Sequence, residues 1–92
     1  MEAKSLLVLL VRREMQSYGL RLTRRYRDIV DRDDVLSAVD FALLRAVERF
    51  DSSRGIFLVF AMIWVRREVH HLVRREITWR RRRTQQDWLI EP

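Results

Sequence analysis

From Ala3 to about Asp28, apolar side chains return at steps of three or four: Leu7, Val11, Met15, Tyr18, Leu22, Tyr26 and Ile29. Residues so spaced share one side of an α-helix, so the spacing predicts a first helix burying a single stripe. Gly19 interrupts the run at a cost of about 1 kcal/mol against alanine. The unbroken stripe favours one helix over two joined ones. Asp28–Asp34 reads as a short acidic connector. A second stripe follows in Val35, Val39, Ala42 or Leu43, Ala46 and Phe50, predicting a helix over about 33–50. Asp31 or Asp33 can cap its start, because a short acceptor side chain satisfies free backbone N–H groups and its charge suits the positive dipole end. Asp51, Ser52, Ser53 and Gly55 then form a turn, with Gly55 suited to the left-handed backbone that closes one. The third stripe, Ala61, Met62, Val65, Val69, Leu72 and Val73, predicts a helix over about 57–83. Three helices and no strand pattern make the expected fold all-α.

Composition agrees with one small helical domain. The chain has 92 residues, 48% hydrophobic and 35% charged, with two glycines and one proline. A chain of that length buries roughly 60–65% of its unfolded surface, enough for a modest core. The absence of cysteine excludes a disulfide framework and a zinc-finger ligand set. Leu6–Val11 is far shorter than the roughly 20 apolar residues that span a bilayer. No small-residue cleavage site follows it, so the expectation is a cytoplasmic protein without membrane contact. The net charge is +6, and it is unevenly placed. Up to Ser53 ten basic residues face nine acidic ones; from Arg54 onward nine face four. A basic half suggests a polyanionic partner, with a merely solvated arginine-rich surface as the plainer reading.

RAVERFDSSRG, a short aromatic run, and then WVRREVHHLVRR together resemble region 2 of the sigma-70 family of bacterial transcription initiation factors. The likeness covers roughly residues 18–75 and is strongest in RAVERFD-xxRG, where turn and flanking helix ends match together. Arg24-Arg25-Tyr26 is similar to the basic-aromatic close of the family's region 2.1. The resemblance implies a three-helix bundle like sigma region 2; the arginine run after Trp79 reads as a basic C-terminal extension, dividing the chain as 1–79 and 80–92. It implies binding to the core of bacterial RNA polymerase and to promoter DNA. Asp34, Ser37, Asp40 and Leu44 fall on polymerase-contact positions, with Ser37 and Ala38 standing where the family usually has Gln and Glu. Arg54, Phe57, Phe60 and Trp64 fall on DNA-facing positions, joined by Arg67, His70, His71 and Arg74 along the third helix. Leu58, Val59 and Ile63 replace polar or aromatic residues of the family. The family's promoter-reading region 4 finds no counterpart in the sequence, so a separate DNA-binding protein is the expected partner.

Physical chemistry supports some of these assignments and leaves others open. Aromatic faces stack on unpaired bases and arginines neutralise phosphates. An aromatic run on a helix also suits a core, and the pattern alone leaves Phe57 and Phe60 open between the two. Asp34 and Asp40 equally suit capping and solvation. Arg80, Arg81, Arg82 and Arg83 cover all sides of a helix and read as a polyanion-binding tract. Four phosphate contacts there would add about −3 to −4 to the slope of log affinity against log salt. Trp88-Leu89-Ile90 either folds back on the core or anchors a partner. Glu68 and Glu76 are placed to pair with Arg75 and Arg80. His70-His71 is a poor metal site, since adjacent helical residues diverge by about 100°. No nucleophile–base set, phosphate loop or carboxylate pair is visible, so the expectation is a protein without catalysis or cofactor. Two other readings remain: a small helical nucleic-acid-binding module without polymerase contact, and a polymerase-binding regulator that does not open promoters.

Overall fold

The computed structural model describes the backbone of residues 3–90 and the side chains of residues 3–84. Helix α1 spans Ala3–Leu22, α2 spans Arg32–Arg49 and α3 spans Phe57–Ile90, with single 3-10 turns at Arg24–Tyr26 and Ser52–Arg54. Among the described residues there is no strand. The expected all-α, three-helix architecture is therefore what the chain adopts. Trp88-Leu89-Ile90, whose packing the sequence leaves open, lie outside the described side chains.

The first helix ends earlier than its stripe predicts. At Thr23 the hydroxyl donates back to the Gly19 carbonyl at 3.0 Å and lies 3.2 Å from that of Leu20. Side-chain bonding to the preceding turn competes with continuing the helix. The backbone then tightens, with Tyr26 N–H donating to the Thr23 carbonyl at 2.8 Å. A 3-10 turn repeats every three residues, so Tyr26 and Ile29 still face the core although the α-helix has stopped. Gly19 does not kink the helix. It is buried where α1 crosses α2, and a Cβ built on it would lie 2.6 Å from Val39 Cγ2. Glycine is there to let two backbones approach.

α2 begins after Asp31, which holds the N-cap position with extended backbone, yet its side chain makes no capping bond. Asp33 and Asp34 in the first turn instead oppose the positive dipole end. Val35, Val39, Ala42, Leu43, Ala46 and Val47 form the buried side. They meet Phe57, Ala61, Val65, Val69, Leu72 and Val73 of α3 across the most extensive interface in the molecule. Each fully buried Val or Leu contributes roughly 1.5–3 kcal/mol of transfer free energy, so this row of branched aliphatics is what holds α3 in place. Met15 and Val30 close the core from α1 and its connector.

The turn between α2 and α3 is built on Asp51. Its carboxylate accepts from the Ser53 hydroxyl at 2.8 Å and the Ser53 N–H at 3.0 Å. Those two donors, the hydroxyl first, hold the Asp51 carboxyl below the usual carboxylate range. Gly55 then takes φ 132° and ψ −158°, a region open essentially to glycine alone. α3 starts with the Phe60 N–H on the Ile56 carbonyl at 3.3 Å and runs 34 residues, about 51 Å at 1.5 Å per residue. It outruns its partners, and the molecule measures 61 × 21 × 20 Å.

Candidate polymerase and nucleic-acid interfaces

Two faces are left for partners once the core is closed, and the three-residue and four-residue steps of each helix define them. On α2 the side away from the core carries Asp34, Ser37, Phe41 and Leu44, all exposed. Leu44 is 58% exposed and Phe41 46%, a large apolar area for the outer side of a helix. The Arg45 guanidinium stands 5.1 Å from the centre of the Phe41 ring. Asp34, Ser37 and Phe41 line a shallow depression closed by Glu68, Leu72 and Arg75 of α3. Asp40 sits apart from this row, at the edge facing α1. There Arg12 grips it through two bonds, Nε to Oδ1 at 3.0 Å and Nη2 to Oδ2 at 2.9 Å. The same carboxylate raises the Arg12 pKa, first through the hydrogen bonds and then through its charge. Asp40 thus ties two helices together and meets solvent only in part. Phe41 is the residue of this face that the sequence reading passes over, although its position three before Leu44 is the available sign.

The second face belongs to α3 and the end of α2. Phe57 is not part of it. At 4% exposure it lies in the core, its ring edge-on to Phe50 with centroids 5.1 Å apart. This corrects its assignment to DNA: position 57 stands one turn before Ala61 and two before Val65, on the buried line. Phe60 is half-buried, 5.9 Å from Phe50 and 6.5 Å from Trp64. Trp64 is half-buried as well, packed against the core on one side. Two guanidiniums stand near its ring, Arg67 at 5.5 Å and Arg49 of α2 at 5.3 Å. Trp64 and Arg67 thus come together as their spacing predicts. Arg49 arrives from another helix, which no periodicity within α3 could reveal.

Beyond Trp64 the surface turns basic. Arg67, His70, His71 and Arg74 line one shallow depression, and His71, Arg74, Arg75, Thr78, Trp79 and Arg82 the next. All four residues of the first are exposed. Arg54, also exposed, stands at the other end of α3 and pairs loosely with Asp51 at 3.8 Å. The four-arginine tract continues the helix and so points four ways. Arg81 and Arg82 follow Arg74 and Arg75 by seven residues and extend the basic rows. Arg80 leans back toward the Ile29 carbonyl at 3.5 Å, and Arg83 lies 5.4 Å from the Trp79 ring. Glu68 and Glu76 form no ion pair with Arg75 or Arg80, contrary to the sequence expectation. Arg75 is exposed and makes no ion pair among the described residues, while Arg80 is turned toward Ile29. Among the described residues no three His, Cys, Asp or Glu side chains converge as a metal site. No described helix is long and apolar enough to cross a membrane.

A bundle of this topology, with an aromatic and basic third helix behind a RAVERFDSSRG turn, is decided by one comparison: residues 7–85 match the family described as Sigma-70 region 2. The chain belongs to the sigma-70 region 2 family. No curated protein and no solved structure gives a significant match. Membership points to a sigma-like interaction with RNA polymerase and promoter DNA, and it gives the two faces their context. The turn, the second helix and the start of the third all fall inside the match.

Proposed function

We propose that this sigma region 2 protein is a non-catalytic polymerase-binding subunit, acting in the cytoplasm, that takes its promoter specificity from a separate DNA-binding protein. The outer side of α2, with Asp34, Ser37 and Leu44, docks on the polymerase core. α3 holds DNA through Trp64 and the basic row from Arg67 to Arg74, with Arg49 of α2 beside the Trp64 ring. One observation carries the reading. Between Ile56 and Val65 the only polar side-chain group is the Trp64 indole N–H. Selecting a particular unpaired base needs polar groups aimed at its edges. A ring flanked by guanidiniums offers stacking and charge, which tolerate any base. A surface of this kind holds melted DNA without choosing it, and the choice must come from another subunit.

The test uses Asp34→Arg with Leu44→Arg, two exposed positions outside the Arg12–Asp40 pair. The double variant should keep its helicity and melting temperature and lose co-purification with core polymerase. A folded variant that still co-purifies would remove α2 as the docking face. If the unaltered protein fails to bind core polymerase yet binds DNA, the protein is a nucleic-acid module instead.

A further inference from the structure

Ile56, just before α3, and Val59 and Ile63 on its outer side stand in line and are 72%, 57% and 56% exposed. With Arg49, Phe50, Asp51, Arg54, Gly55 and Phe60 they line an open cleft of about 470 Å³. The same line continues at three- and four-residue steps into Arg67, His70 and Arg74, so two apolar turns pass directly into a basic row. Among the described residues nothing covers the apolar part. We propose that it is the seat of an acidic amphipathic helix supplied by a partner protein.

The chemistry of the surface selects this occupant. Branched aliphatic side chains have no flat π-face and no hydrogen-bonding group, so they gain only by burial against another apolar surface. An unpaired nucleotide strand offers rings to stack and phosphates to neutralise, and both suit Trp64 and the arginines rather than Ile56, Val59 and Ile63. A second copy of this chain would oppose like charges. The apolar line is flanked by Arg49, Arg54, Arg66 and Arg67, with Asp51 the one acidic group at its rim among the described residues, and the whole chain is +6. A helix with an apolar stripe between Asp or Glu residues answers both features, in the helix-in-groove manner. That the helix belongs to the DNA-binding subunit rests on the reading above; that the site takes an acidic helix does not.

The full chain would be titrated by fluorescence anisotropy with a labelled synthetic helix bearing leucines at every third and fourth position, flanked by glutamates. Two control peptides accompany it, one with the leucines changed to serine and one with the glutamates changed to lysine. The leucine–glutamate peptide should bind at least tenfold tighter than either control. Val59→Ser with Ile63→Ser should remove that preference, whereas Leu6→Ser with Leu10→Ser, on exposed positions of α1, should leave it intact. Equal binding of the serine peptide would overturn the proposal, because charge alone would then account for it. So would self-association that disappears in the Val59→Ser/Ile63→Ser variant, or a matching tenfold loss of a thymidine oligonucleotide by that variant. Polymerase co-purification by the same variant separates the two ideas. If it persists while no peptide preference is found, only this site is lost; if the peptide binds and polymerase does not, only the polymerase reading is lost.

Discussion

At the scale of single residues, Trp64 and Gly55 carry the clearest consequences. Among the described residues, Trp64 is the one ring of α3 that meets both solvent and two guanidiniums. Trp64→Ala should weaken single-strand binding by about 1–3 kcal/mol, and changing the sequence of that strand should matter less than about tenfold. Anisotropy with homopolymer and mixed oligonucleotides checks both. A profile with one strongly preferred base that vanishes in Trp64→Ala would make the protein a promoter reader in its own right. Gly55 is a matter of backbone alone. Among the described residues, chain neighbours apart, no atom lies within 4 Å of a Cβ added there, but φ of 132° strains any other residue. Gly55→Ala should therefore destabilise the fold by about 1–3 kcal/mol in chemical denaturation. An unchanged midpoint would show that the turn relaxes into another conformation.

At the scale of elements, the crossing of α1 and α2 depends on the missing side chain at Gly19. In an isolated helix Gly19→Ala would gain about 1 kcal/mol. Here the new methyl meets Val39 Cγ2 at 2.6 Å, and Val39 is fully buried and stiff at χ1. Overpacking of that kind costs about 1–3 kcal/mol, so the net change should be destabilising. The same substitution in a Val39→Ala background should cost less, because the cavity left by the valine receives the methyl. Thermal unfolding of the four proteins of this cycle checks the claim. Equal penalties in both backgrounds would mean that helix spacing, and not Val39, sets the limit. The Arg12–Asp40 pair lies three turns from the Thr23 end of α1 and holds the same two helices in register at the surface.

At the scale of the whole molecule, the length of α3 decides how charge reaches a partner. Its continuous helix carries the arginine tract past the bundle. A helical tract cannot set four successive guanidiniums on one phosphate backbone. Arg81 and Arg82 extend the basic rows, while Arg80 leans on the connector and Arg83 on Trp79. Replacing all four with glutamine should reduce the slope of log affinity against log salt on duplex DNA by about 2, rather than the 3 to 4 of four independent contacts. A reduction near 4 would mean that the helix opens on binding. No change would show that the tract does not touch phosphate.

The helices and most of the core are legible in the order of residues alone. Val35, Val39, Leu43, Val65 and Val69 announce their burial through spacing, because a helix repeats its faces every 3.6 residues whatever surrounds it. The Asp51 turn and Gly55 are legible for the same reason: their bonds and backbone are local. The family likeness in RAVERFDSSRG is equally a property of contiguous chain. What periodicity cannot carry is the distance between helices. The end of α1 at Leu22 stays hidden because a 3-10 turn continues the stripe. Gly19 looks like a breaker until Val39 is seen against it. Phe57 looks like a base-stacking ring until Phe50 and the core close over it. Arg49 joins Trp64, and Arg12 takes Asp40, only because separate helices pack side by side. Those meetings join residues far apart in the chain, and only the tertiary structure fixes them.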